Sequence, residues 1–211
     1  MSDASATTRL TDRKRQAIIE AAAEEFRRFG FEATSMDRIA SSAEVSKRTV
    51  YNHFPSKEAL FAEILAQLWQ RSHEQVNLPY RADQPLRAQL EALLWQKMEL
   101  LNDGNFIDLA RVAIAEAIHS PERARDMVER LSEREEGVTV WIRAAVADGR
   151  LKAVDPVFAA HQIQGLIKSL AFWPQISLGQ PALTPAMQKQ VVEATAEMFL
   201  CCYAPGGAEG R

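Results

Sequence analysis

Apolar positions recur every three or four residues over most of this chain, and no stretch shows the two-residue alternation of a half-buried strand. From Asp12 the run RKRQAIIEAAAEEFRRFG sets Ile18, Ala22, Phe26 and Phe29 on one stripe. It stops at Gly30, a residue suited to a left-handed cap, with Phe31 packing back against the helix. Past that point the pattern breaks into shorter units. Thr34 or Ser35 can cap a helix in which Met36, Ile39 and Ala40 share one face, and Ala43-Glu44-Val45 ends it. Ser46 caps a second short helix at once. Val50 and Phe54, four apart, turn inward and leave Lys47, Arg48, Thr49, Tyr51, Asn52 and His53 on the other sides. Pro55-Ser56-Lys57-Glu58 then breaks this helix and starts the next.

Farther on, Asp83 with Pro85, Ser120 with Pro121, Asp155 with Pro156 and Thr184 with Pro185 each put a capping side chain ahead of a proline in a first turn. Pro79, Asn102-Asp103-Gly104, Gly149 and the stretch from Ser177 to Pro181 punctuate the rest. The predicted helices cover about 56–77, 84–102, 105–118, 121–148, 156–173 and 185–203, the fourth bending near Gly137. The fold class is therefore all-α. Residues 12–62 make a three-helix, helix-turn-helix domain and 63–203 a second helical domain, between a flexible arm over 1–11 and a disordered tail over 204–211.

A helix whose outward face is all hydroxyls, amide and cations, and which is thin enough for the major groove, offers donors to phosphates and base edges. Lys57 adds a cation in a first helical turn, where backbone N–H groups also suit a phosphate. The order of Phe26, Gly30, Phe31, Thr34-Ser35, Ile39-Ala40, Val45-Ser46-Lys47, Tyr51, His53-Phe54 and Ser56-Lys57-Glu58 resembles the amino-terminal domain of the TetR family of bacterial transcriptional regulators. The resemblance implies a helical ligand-sensing and dimerising domain downstream. It also implies DNA contacts from Ser35, Ser46, Lys47, Tyr51, His53 and Lys57, with Arg48 and Thr49 opening the recognition helix; Thr34 and Asn52 complete the expected surface. Two positions depart from the family pattern. Glu44 stands in the turn where most members have glycine, which costs on the order of 1 to 2 kcal/mol if the turn keeps a positive φ. Arg48 replaces a frequent glycine and brings the side chain that most often reads guanine.

The final two predicted helices each carry more apolar surface than one neighbour can cover. Phe158, Gln162, Gly165, Ser169 and Phe172 form one stripe, Ile163, Ile167, Leu170 and Trp173 another; Met187, Val191, Ala194, Met198 and Cys201 adjoin Val192, Thr195, Phe199 and Cys202. The expected arrangement is a four-helix interface between two copies, through Phe158, Gln162, Gly165, Ser169, Phe172, Val191, Thr195, Met198, Phe199 and Cys202. A monomer that buries both stripes is the competing reading. Trp69, Trp95, Met98, Phe106, Trp141 and Phe172 are candidates to line an apolar pocket for a small-molecule effector.

Composition refines this picture. The formal charge of −3 divides unevenly: ten Lys and Arg against nine Asp and Glu through residue 60, fifteen against nineteen beyond it. A mildly acidic protein can still bind a polyanion through one basic face. No run approaches the roughly 18 apolar residues of a membrane span, and the polar start lacks a signal peptide's apolar segment, so a cytoplasmic location is expected. Cys201 and Cys202 are adjacent, too strained for a structural disulfide, and are expected to be buried in a terminal helix, a redox sensor being the alternative. Glu116-Ala117-Ile118-His119 is a single Glu-x-x-His where a helical di-iron site needs two, and His53, His73 and His161 are dispersed. No metal, cofactor or enzymatic chemistry is expected. The reading is a homodimeric regulator on a palindromic double-stranded operator, most simply a repressor released by a small hydrophobic effector; activation, or DNA binding without an effector, are the alternatives.

Overall fold

The computed structural model describes residues 3–75, 78–120 and 137–206, and the described residues form helices without strands. In chain order these are α1 (Asp3–Ala33), α2 (Met36–Ser42), α3 (Lys47–His53), α4 (Lys57–Gln75), α5 (Leu86–Asn102), α6 (Gly104–His119), α7 (Gly137–Ala147), α8 (Pro156–Ala171), α9 (Trp173–Leu178) and α10 (Pro185–Tyr203). They fall into two compact units: one holds the chain through Trp69 together with the segment from Asp108, the other runs from Gln70 to Ile107 and resumes after the described part of that segment.

The first unit is built around Ile18, Ala22 and Phe26 of α1, Ile39 and Ala40 of α2, Val50 of α3 and Leu60, Phe61, Ile64 and Leu65 of α4. Phe26, Phe31 and Phe61 form an aromatic trio with centroids 5.0 to 5.4 Å apart. Leu109, Val112 and Ala113 of α6 pack against the same core. α1 begins ahead of the expected Asp12, because no glycine or proline interrupts the segment before it. Gly30 kinks this helix rather than ending it, with φ +78 and ψ 170, a backbone state open to glycine alone at low cost. Phe29, expected on the inward stripe, is instead exposed, with the Arg38 guanidinium 3.5 Å from its ring centroid.

In the second unit, α10 packs on α5 and α8, and α7 and α9 also lie against α8. Leu90, Leu93, Met98, Trp141, Ile142, Ile163, Ile167 and Val192 are buried there. Asp155 and Thr184 cap α8 and α10 as their sequence positions suggest. Asp83 does not cap α5; it pairs with Arg81 at 3.1 Å, and Pro85 occupies the cap position without a side-chain bond. The helix expected over 156–173 breaks at Phe172, since Pro174 has no N–H to continue the ladder, and a short α9 follows to Gly179. Of the helix expected over 121–148, residues 121–136 lie outside the described residues, and Gly137 begins α7. Among the described residues no helix is long and apolar enough to cross a membrane.

Candidate DNA-binding surface

α3 is two turns long, and its placement comes from the polar and apolar groups around it. Val50 and Phe54 are its buried anchors, with the Arg15 guanidinium 5.1 Å from the Phe54 ring centroid. Ser46 caps it, accepting from the Thr49 N–H at 3.1 Å, and the two hydroxyls lie 2.8 Å apart. Ser35 caps α2 in the same way, accepting from the Arg38 N–H at 3.3 Å. Between the two helices Glu44 takes φ +53, and the turn closes through Val45 N–H to the Ala40 carbonyl at 3.0 Å. The turn therefore keeps a positive φ at a non-glycine residue, the condition on which the strain depends.

The outward face of α3 carries Lys47, Arg48, Tyr51 and Asn52, all exposed, with Thr49 and His53 half-buried at its edges. Tyr51 is 45 % exposed, and the Lys47 ammonium lies 6.0 Å from its ring centroid. Lys47 is engaged by Asp37 of α2, at 2.7 and 3.0 Å from the two carboxylate oxygens. That hydrogen bond first, and then the carboxylate's charge, hold the Lys47 ammonium above the usual lysine range.

Two expected contacts have other duties. Thr34 is 2 % exposed, and its hydroxyl donates to the Gly30 carbonyl at 2.8 Å and the Glu25 carbonyl at 3.2 Å. It stitches the kink of α1 to the start of α2 and presents nothing to a groove. Lys57 sends its ammonium to the Phe31 carbonyl at 2.7 Å and the Glu32 carbonyl at 3.3 Å, and lies 4.3 Å from the Phe31 ring centroid. It satisfies the orphan carbonyls at the end of α1, leaving one of its three N–H groups for a phosphate.

A buried carboxylate that the sequence reading passed over organises this region. Glu25 accepts from the Ser42 hydroxyl at 2.5 Å and pairs with Arg38 at 2.5 Å, so one side chain of α1 grips both ends of α2. Its signal in the sequence was a charge at the i+7 position from Ile18, inside the apolar stripe.

The expected interface residues divide. Phe158, Gln162, Gly165, Ser169, Met198 and Cys202 are exposed on α8 and α10, while Phe172, Val191, Thr195 and Phe199 are buried within the second unit's own core. The α10 stripe that faces inward is Val192, Thr195, Ala196 and Phe199 with Val191 at its edge, so the two sequence stripes merge into one buried and one exposed face. Both cysteines lie on the exposed side, contrary to the expectation that they are buried. Glu197 accepts from the Cys201 thiol at 3.5 Å, and this bond is the main cause holding that thiol above the usual range.

Of the effector candidates, Met98, Trp141 and Phe172 are buried in the second unit, and Trp95 and Phe106 half-buried. Trp141 is already engaged, donating to Gln89 at 3.3 Å with the Tyr80 ring 6.0 Å away. The Trp69 side chain lies outside the described residues. In α6, Glu116 is buried and His119 exposed.

Residues 18–64 match the family described as bacterial regulatory proteins, tetR family, and residues 88–205 match the AefR-like transcriptional repressor C-terminal domain. A TetR family transcriptional regulator from Pseudomonas syringae pv. tomato str. DC3000, known from its crystal structure, is 55% identical, covers 92% of this chain and 98% of its own, and superposes with a TM-score of 0.81. The flavonoid-responsive regulator FrrA is 30% identical over 93% of this chain and 100% of its own, with a TM-score of 0.74. The HTH-type transcriptional regulator YhgD of Bacillus subtilis (strain 168) is 29% identical over 90% of this chain and 95% of its own length.

Proposed function

The chain belongs to the TetR family of bacterial regulatory proteins and is a DNA-binding transcriptional regulator, not an enzyme; from that premise we propose a cytoplasmic homodimeric repressor that leaves a palindromic operator when a small apolar effector binds. The carrying observation is the division of α3 into a buried side, Val50 with the adjoining Phe54, and a side where Lys47, Arg48, Tyr51 and Asn52 are exposed. Lys47, Tyr51, His53, Ser35, Ser46 and the remaining N–H of Lys57 suit the backbone, and Arg48, Thr49 and Asn52 the base edges.

Dimerisation is supported by the second unit's surface. Phe158 is 57 % and Met198 54 % exposed, and Leu170, Trp173 and Met187 are exposed on the same three helices, α8, α9 and α10, as are the small Gly165 and Ser169 of α8. A partner copy burying these residues would set two α3 helices on a two-fold axis, to read half-sites about one helical turn, roughly 34 Å, apart. The repressor reading draws on the description of the matched C-terminal domain, and the apolar effector on the region of Trp95, Met98, Phe106, Trp141 and Phe172. FrrA is described as flavonoid-responsive, so flat aromatic compounds are the first to try. An effector acts only through better affinity for the conformation that does not hold DNA.

The test is fluorescence anisotropy on DNA from upstream of the protein's own gene against mixed-sequence DNA, with and without a flavonoid panel. At least about a thousandfold preference for the upstream DNA is expected, together with release by one aromatic compound. Equal, weak binding to upstream DNA and to duplexes selected from a random pool sinks the operator reading; tight binding that no compound loosens removes the effector.

A further inference from the structure

Between Thr34 and Lys57 the chain has four cations, Arg38, Lys47, Arg48 and Lys57. Arg38 is spent on Glu25, Lys57 on the carbonyls that end α1, and Lys47 on Asp37. Arg48 is left, with no ion pair among the described residues. A helix-turn-helix that must hold a polyanion thus commits most of its cations to intramolecular partners. One of these partners differs from the others. Glu25 is buried and the α1 carbonyls are backbone, whereas Asp37 is an exposed carboxylate on the first turn of α2, beside the opening residue of α3. Both groups of the Asp37–Lys47 pair are open to solvent, so a phosphate can approach the ammonium only at the cost of standing next to the carboxylate.

We propose that Asp37 is an affinity-limiting residue of the DNA surface: by neutralising Lys47 and repelling the neighbouring phosphate, it weakens binding to all sequences alike and leaves discrimination to Arg48 and its neighbours on α3. This rests on the reading that Lys47 meets the DNA backbone. Phosphate contacts carry no sequence information, so a carboxylate that offsets one lowers specific and non-specific affinity together. A regulator whose non-specific affinity is held down is less diluted over the chromosome.

The experiment uses the full-length chain, a labelled 30-base-pair duplex of mixed sequence and the tightest duplex selected from a random pool, over a salt series. Asp37→Asn should tighten both by about three- to tenfold, the size expected for removing one like charge about 6 Å away in a largely aqueous setting. It should also steepen the salt slope by about one, for one additional phosphate neutralised. Lys47→Met should weaken both duplexes, and in that background Asp37→Asn should gain less. If Lys47→Met weakens binding but Asp37→Asn weakens it too, Asp37 is a positioning residue for the ammonium and the proposal is overturned. If Lys47→Met changes nothing, the reading of Lys47 as a backbone contact fails, and the proposal with it. Melting curves of each variant separate loss of fold from loss of binding.

Discussion

A side chain at one position can be read for both the strain it causes and the contact it makes. Glu44 holds φ +53 with no glycine to relax it, so Glu44→Gly should raise the stability of the chain by about 1 kcal/mol, seen as a higher urea midpoint at unchanged slope. Glu25→Ala should do the opposite, at a cost of about 2 kcal/mol, because the Arg38 and Ser42 groups lose a buried charged partner. Arg48 belongs to recognition. Exposed on the face opposite Val50, it should when changed to alanine cost about 1 to 3 kcal/mol on the selected duplex and relax one base position. Equal loss on mixed-sequence DNA would instead make it a phosphate contact. The turn strain at Glu44 was legible in the sequence because one residue type dominates such a turn, whereas the charge of Glu25 was visible without its role. A carboxylate inside an apolar stripe can mean a helix edge or a buried anchor; the partner that decides lies 17 residues away at Ser42, which local pattern cannot supply.

At the scale of elements, caps were the most readable signal. Ser35, Ser46, Asp155 and Thr184 all hold helix N-termini, since a side-chain oxygen and the amides it serves are neighbours in sequence. C-termini were less readable. α1 is closed by Lys57, 26 residues on, so its end depends on where α4 sits and not on Gly30 alone. Lys57→Met keeps the aliphatic stem near Phe31 and removes the ammonium. About 1 kcal/mol of stability should be lost in urea denaturation, with faster amide exchange concentrated at the end of α1. The split of α8 from α9 has a similar cause: periodicity runs on through Trp173, but the missing N–H of Pro174 stops the ladder at Phe172.

For the whole molecule, the amphipathic patterns carried the all-helical class, while the surplus apolar surface of the last helices marked a second face whose expected residues divide, Phe158, Gln162, Gly165, Ser169, Met198 and Cys202 exposed and Phe172, Val191, Thr195 and Phe199 buried. The exposed Phe158 and Met198 make that face testable. Phe158→Glu with Met198→Glu should leave helicity intact, halve the mass in light scattering and lower affinity for a selected palindrome by about a hundredfold, as the second half-site contact ceases to be intramolecular. Unchanged mass would mean that two copies, if they pair, meet elsewhere. The helix α3 spans only Lys47–His53 and is held by Val50 and Phe54, too short to be stable by itself. Its shape is therefore inherited from the core beneath it, and its outward letters are released from any duty to folding. Within such a lineage new addresses on a chromosome can arise by rewriting positions 48, 51 and 52 while the scaffold stays still, so descendants can diverge in the genes they govern long before they diverge in architecture.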